Sequence, residues 1–180
     1  MDPCILTWIS GPIHYTVGVD IYVPVGDHDD GKLINVGKDF WTFEPILGIT
    51  GIYENGLSFS AKFMYDYNTK TDMQVVGPGV TGRIKPGQEF HFDYALDYEL
   101  SPGWRGGLAG YYYKQLTDDE IDGVDSTAKK SEAFAIGPAI KYDFKLDNQM
   151  ASLIAKVLFD VDSESWLEGE SYWLKFVYQF

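Results

Sequence analysis

The sequence predicts an all-β chain, an antiparallel up-and-down transmembrane β-barrel of outer-membrane type. Three observations predict it. Runs of about ten residues alternate apolar and polar side chains with a period of two, as a strand with two unlike faces does. The connections between these runs alternate in length, short then long. The final run, Tyr172–Phe180, alternates strictly and stops on an aromatic residue.

Composition is compatible with this fold and excludes others. The 180 residues amount to one domain. Apolar residues make up 45% of the chain. No stretch approaches the roughly 18 continuous apolar residues of a membrane helix, which says little against a barrel because its strands carry a weaker signal. Aromatics reach 16% with 13 Tyr, which suits interfacial girdles and would also suit a Tyr-rich soluble β-protein. The net charge of −13 argues against a nucleic-acid partner, since phosphate binding needs a basic surface. Cys4 stands alone, so no intrachain disulfide forms, and it reads as an incidental residue of the first strand. No secretory signal peptide precedes it, which points to a chain lacking its natural start.

Alternation and turn chemistry give about nine strands. The first, 4–9, is short and ends at Ser10-Gly11-Pro12. The second, 13–25, carries His14 and Asp20 on its polar face, and the third, 40–53, carries Glu44. After Glu54-Asn55-Gly56, strand 57–67 sets Leu57, Phe59, Phe63 and Tyr65 against Ser58, Ser60, Lys62 and Asp66. The clearest run is 88–100, with Phe90, Phe92, Tyr94, Leu96, Tyr98 and Leu100 on one face and Glu89, His91, Asp93, Asp97 and Glu99 on the other. Past Ser101-Pro102-Gly103, strand 104–116 turns Arg105, Tyr111 and Tyr113 to the polar side. Strand 133–144 sets Phe134, Ile136, Ile140, Tyr142 and Phe144 against small residues, Lys141 and Asp143. Leu146-Asp147-Asn148 leads into 149–159, which carries Lys156. In the closing strand, 171–180, Tyr172, Leu174, Phe176, Tyr178 and Phe180 share one face, and Trp173, Lys175, Val177 and Gln179 the other.

Long polar connections are expected at about 26–39, 68–87, 117–131 and 160–170. A strict short–long alternation puts all short turns on one rim and all long loops on the other, as in outer-membrane barrels. With Phe180 at the periplasmic rim, counting back through nine strands starts the first strand at the outer rim. A complete barrel has an even count, so the chain reads as the C-terminal part of a larger one, of about 12 strands. Without the short first strand the count is eight, an acceptable small barrel.

Alternation alone does not say which face meets what. In a lipocalin-type soluble barrel the apolar face lines the interior; in a membrane barrel it meets lipid and the polar face lines the lumen. Aromatics crowding the strand ends, together with the aromatic terminal strand, favour the membrane arrangement. The expected lumen-lining set is then the polar-face residues named above. Its acids gather on strand 88–100 and its bases on neighbouring strands, so that facing signs form charge-assisted pairs.

Catalytic and metal chemistry find no motif. His14, His28 and His91 lie on separate elements without ligand spacing, and no metal is expected. The acidic loop around Asp27, Asp29 and Asp30, and the loop acids Asp118, Asp119, Glu120, Asp122 and Asp125, do not match an EF-hand; nor do Asp160, Asp162, Glu164, Glu168 and Glu170. They read as solvated outer loops near the divalent ions that bridge lipopolysaccharide. Ser58, Ser60 and His91 would be needed for a hydrolase, but no context marks a nucleophile. Gly77-Pro78-Gly79 is a loop, not a phosphate cradle, because no helix follows. No enzyme and no cofactor are expected.

Several longer segments carry a resemblance. They are Trp41-Thr42-Phe43-Glu44-Pro45, Ser60-Ala61-Lys62-Phe63-Met64-Tyr65-Asp66 after Asn55-Gly56, and Gly87-Gln88-Glu89-Phe90-His91-Phe92-Asp93-Tyr94-Ala95. Further ones are Gly110-Tyr111-Tyr112-Tyr113-Lys114-Gln115-Leu116-Thr117-Asp118-Asp119, Ile136-Gly137-Pro138-Ala139 and Lys141-Tyr142-Asp143-Phe144. With them the chain resembles the C-terminal portion of a family of outer-membrane proteins associated with the meta-pathway of phenol degradation. The resemblance implies a bacterial outer-membrane barrel linked to uptake of aromatic or other hydrophobic compounds, or a structural, surface-interacting barrel without specific transport. It also implies outer-membrane lipid and lipopolysaccharide as surroundings, a hydrophobic small-molecule solute, and the barrel-assembly machinery as a partner of the C-terminal strand. The family supplies no catalytic residue to carry over.

Overall fold

Strict alternation folds as strands throughout. A computed structural model describes residues 4–26, 38–71, 73–77, 80–165 and 168–178. In chain order the strands are β1 (Cys4–Ser10), β2 (Ile13–Tyr22), β3 (Thr42–Ile52), β4 (Leu57–Asn68), β5 (Met73–Gly77), β6 (Val80–Lys85), β7 (Glu89–Ser101), β8 (Trp104–Gln115), β9 (Glu120–Ile121), β10 (Val124–Asp125), β11 (Glu132–Leu146), β12 (Gln149–Glu164) and β13 (Glu170–Tyr178). Nine of them form one antiparallel meander in the order β1-β2-β3-β4-β7-β8-β11-β12-β13. No helix occurs among the described residues. The two end strands of that order are not paired with each other among the described residues, so the sheet is described with two edges.

The short connections have the turn chemistry that their residues dictate. Gly11 at φ 57° ahead of Pro12 gives the sign pattern of a II′ hairpin between Ser10 and Ile13. Pro102 followed by Gly103 at φ 82° fits a type II turn. Asp147 and Asn148, at φ 50° and 66°, both take the left-handed conformation of a I′ turn. In the slightly longer turn at 53–56 the Asn55 side chain accepts a bond from the Leu57 amide at 3.1 Å. All four lie on one rim, because strands of a meander alternate in direction.

The opposite rim differs from expectation in three connections. The connections 68–87 and 117–131 are not plain loops. They contain β5–β6 and β9–β10, which join in a second sheet of order β10-β9-β6-β5. The connection expected at 160–170 is shorter: β12 runs on to Glu164 and pairs with Glu132 of β11, past a register shift at Phe134/Ala135. Charged, non-alternating residues at 160–164 hid this extension. The acidic loop residues Asp27, His28, Asp29 and Asp30, the Pro78-Gly79 pair and Phe180 lie outside the described residues.

Burial is inverted relative to a water-soluble sheet. Buried positions include Asp20, Thr42, Glu44, Ser58 and Asn68, with Ile46, Met64, Ala109, Ala133, Ala135 and Leu158 on the same face. The other face exposes Val17, Val19, Phe43, Leu47, Leu96, Leu108, Ile140, Leu153 and Phe176. Glu44 is 3% exposed, whereas Leu96 is 51% and Leu174 75%. The apolar face is ringed. Trp8 stacks on Tyr15, and Trp104 on Tyr142, near the short-turn rim. Phe92 meets Phe63, Phe90, Tyr94 and Tyr112 toward the long-loop rim.

Candidate functional site

The registers of successive ladders fix which side chains share the polar face. His14 and Asp20 of β2 stand opposite Thr50 and Glu44 of β3. Lys62 and Asp66 of β4 stand opposite Asp93 and Glu89 of β7. His91, Asp93 and Glu99 are in turn opposite Tyr113, Tyr111 and Arg105 of β8. Lys141 faces Arg105 and Ile154, Asp143 faces Ser152, and Lys156 and Lys175 follow on β12 and β13. Asp97, opposite Ser58, completes the set. The polar-face residues expected from the sequence thus fall on one face, while Tyr172, Leu174, Phe176 and Tyr178 fall on the other.

That face is concave. A cavity of about 840 Å³ is bordered by Thr16 of β2 and by Trp173 and Lys175 of β13, so residues near both ends of the strand order wall one space. Its floor is built from small residues. Gly48, Ala61, Ala95, Ala109, Gly110 and Ala139 line it, and Gly107, Ala133, Ala135 and Gly137 lie on the same face of β8 and β11. At Gly137 a Cβ would overlap the Val157 carbonyl oxygen, and at Gly107 the Leu96 carbonyl oxygen. Here the absence of a side chain is required by close backbone approach.

The ionisable groups of the concave face form three tiers. Near the short-turn rim, Arg105 pairs with Asp97, reaches Glu99 at 3.9 Å and donates to the Gly56 carbonyl at 2.8 Å. Ser58 donates to the second Asp97 oxygen at 2.8 Å. Nearby, Lys141 pairs with Asp143 at 2.9 Å and Ser152 donates to the same carboxylate. In the middle tier Lys62, Lys156 and Lys175 make no ion pair among the described residues, although the lysine of Lys156 lies 5.4 Å from the Trp173 ring centroid. Pairing of facing signs therefore holds for Arg105 and Lys141 and fails for these three lysines. Lys62 faces Asp93 in register without closing on it.

The third tier, toward the long-loop rim, is a row of acids. Asp20 is opposite Glu44, the flanking pairs Phe43–Tyr67 and Ile46–Met64 set Glu44 opposite Asp66, and Asp66 is opposite Glu89. His91, diagonal to this row, places Nε2 3.3 Å from Glu44 Oε2 and 3.6 Å from Asp66 Oδ2. The Tyr22 hydroxyl reaches Glu44 at 3.4 Å. Above the row, a buried amide network closes the rim: Thr42 donates to Asn68 at 2.7 Å, and Asn68 donates to Gly87 and Gln88. Sequence spacing hid this row, because its members are separated by 22 to 24 positions and meet only through the register of three ladders. The turn at 53–56, which fixes the β3–β4 register, was the one local signal that could have exposed part of it.

The loop acids are bound within the loops. Glu120 pairs with Lys85 at 2.8 Å, a contact that holds its carboxyl below the usual range and the Lys85 ammonium above its own. Asp119 accepts from the Gly87 amide at 2.7 Å and Asp122 from the Arg83 amide at 3.0 Å. Glu164 pairs with Lys129 at 2.6 Å. Ser58 and Ser60 are committed to Asp97 and Thr50, and neither is bonded to His91.

A protein-family model described as "Putative MetA-pathway of phenol degradation" matches residues 2–176. No curated protein matches the chain.

Proposed function

The chain belongs to the phenol-degradation family whose model spans it, and from that membership and the sheet's inverted burial we propose a passive outer-membrane channel for small aromatic or hydrophobic compounds. The observation that carries the reading is the pairing of an exposed apolar face with a buried charged one. In water such a sheet would expose its large aliphatic side chains and bury carboxylates at a cost of several kcal/mol each. In a bilayer, the same arrangement lets lipid cover the aliphatic band and water fill the concave side. The aromatic clusters fit the two interfaces. From Phe90 to Tyr98 is about 27 Å along β7 at a strand rise of about 3.4 Å. A tilt of about 40° reduces that to roughly 20 Å, the scale of the lipid-facing band of such barrels.

In this reading the surroundings are outer-membrane lipid and lipopolysaccharide, the barrel-assembly machinery engages the C-terminal strand, and the chain is not an enzyme. The cavity supports a small solute. Its walls combine Gly, Ala and aliphatic groups with hydroxyl and charged side chains, with Tyr111 and Trp173 for ring contact and three lysines, without an ion pair among the described residues, for a negatively charged substituent. A second reading, a surface-interacting barrel without transport, is supported by the small β10-β9-β6-β5 sheet, which gives the long-loop rim a built shape.

Flux through protein reconstituted in lipid vesicles separates the two. The channel reading expects phenol and benzoate to enter faster than in protein-free vesicles. Replacing Lys62, Lys156 and Lys175 together by Gln is expected to slow benzoate more than phenol. Equal flux with and without protein would remove the channel reading and leave the surface one.

A further inference from the structure

The row of acids at the long-loop rim holds four carboxyl groups side by side on adjacent strands, Asp20, Glu44, Asp66 and Glu89, all on the concave face. Like charges placed directly opposite each other across a ladder repel, and burial strengthens the repulsion. Glu44 is almost fully buried, and its side chain and that of Asp66 are 4% and 13% exposed. Asp66 Oδ1 is buried and has no hydrogen-bond partner among the described residues. His91 is the basic group that stands among them.

The separations leave room for a bound ion. Charge-assisted N–H···O bonds run to about 2.7–2.9 Å, whereas His91 Nε2 stands 3.3 Å from Glu44 Oε2 and 3.6 Å from Asp66 Oδ2. Ligands about 2.0–2.1 Å from a tetrahedral ion are separated from each other by about 3.3–3.4 Å. One ligand atom from each of Glu44, Asp66 and His91 lies within 4.8 Å of the other two. An imidazole with two carboxylates is a borderline donor set, which suits zinc-like transition cations better than calcium, whose shell is all oxygen.

We propose that Glu44, Asp66 and His91 form a binding site for a zinc-like divalent cation on the concave wall where β3, β4 and β7 meet. Three protein ligands leave the fourth tetrahedral position to water. The site uses three consecutive strands of the meander, so it stands whether or not the chain carries a solute.

Zinc alone is the probe. The full chain, folded in detergent and freed of metal with a chelator, is titrated with zinc by calorimetry and with cobalt by absorption spectroscopy. One equivalent per chain is expected, with a tetrahedral cobalt spectrum. His91→Gln and Asp66→Asn are expected to weaken zinc by at least about ten-fold, the scale seen when the groups around a bound metal are altered. His91→Cys is expected to restore binding and add a sulfur-to-cobalt charge-transfer band. Glu164→Gln, at the far end of β12, is expected to leave affinity unchanged. The folded wild-type chain reports directly, so loss of a variant's fold does not shelter the proposal. No zinc or cobalt uptake by the wild type would overturn it. Preference for calcium over zinc, or equal affinity in wild type and His91→Gln, would do so too.

Discussion

Replacing Leu96 by Arg separates a lipid-covered face from a water-covered one. Leu96 lies near the middle of β7's apolar face, with Phe59 of β4 and Leu108 of β8 opposite it on either side. It is 51% exposed. In water the change forfeits at most about half of a Leu side chain's burial, roughly 1 kcal/mol, and the Arg stem recovers part of that by lying along its neighbours. In a bilayer, an Arg on the lipid face near the midplane costs about 2–4 kcal/mol. At about 1.4 kcal/mol per ten-fold, that is roughly a 30- to 700-fold shift toward the unfolded state. Urea titration of protein folded into phospholipid vesicles, followed by tryptophan fluorescence, reads the difference. Thr16→Asn on the concave face is the control and should stay within about 0.5 kcal/mol. A cost for Leu96→Arg below about 1 kcal/mol in vesicles would refute the lipid-facing assignment.

Two further outcomes follow from contacts described above. Gly137→Ala would press a Cβ into the Val157 carbonyl oxygen, which cannot rotate away, whereas a Cβ at Gly169 meets nothing within 4 Å. The first should cost about 1–3 kcal/mol by overpacking and Gly169→Ala close to nothing; equal unfolding midpoints would contradict the close approach of β11 to β12. In the loop sheet, Lys85 lowers the Glu120 carboxyl's affinity for its proton and Glu120 raises that of Lys85. A carboxyl held low stabilises above its ordinary value near pH 4.3 and loses that as pH falls through the lowered value. An ammonium held high stabilises below about pH 10.4 and loses that as pH rises through the raised value. NMR signals of the β6–β9 pairing should therefore hold steady between those limits and shift outside both, and Glu120→Gln should remove both inflections.

Much of this fold was legible in the residues because period-two alternation and turn chemistry are local. Glu89–Leu100 reads as a two-faced strand on its own, and Asp147-Asn148 reads as a turn on its own. The same parity sorted Lys62 from Phe63 and Asp93 from Phe92, so the polar face could be named residue by residue. What depends on register between distant strands could not. Glu44, Asp66 and His91 are unremarkable in their own strands, and their meeting depends on two ladders, one closed by the turn at 53–56 and one joined only through the long 68–87 connection. The extension of β12 through Asp160–Glu164 was hidden because charged residues at a strand end look like a loop. The hairpins β5–β6 and β9–β10 were hidden for a related reason. Their strands are short, and what joins them is Lys85 meeting Glu120, not an apolar pattern.

The four tight turns also bear on how the sheet assembles. Each closes a hairpin whose two strands are neighbours in sequence: β1 with β2, β3 with β4, β7 with β8, and β11 with β12. Closing a loop of two to four residues costs far less chain entropy than joining strands across the longer connections. Left-handed residues at Gly11, Gly56, Gly103 and Asp147-Asn148 further bias the unfolded chain toward those reversals. The meander is thus built from four local hairpins laid side by side, with β13 as its ninth strand. Each one carries its apolar face and its charged face together, so polarity is sorted within a hairpin before the hairpins meet. The ninth strand, β13, follows β12 after the 165–169 connection.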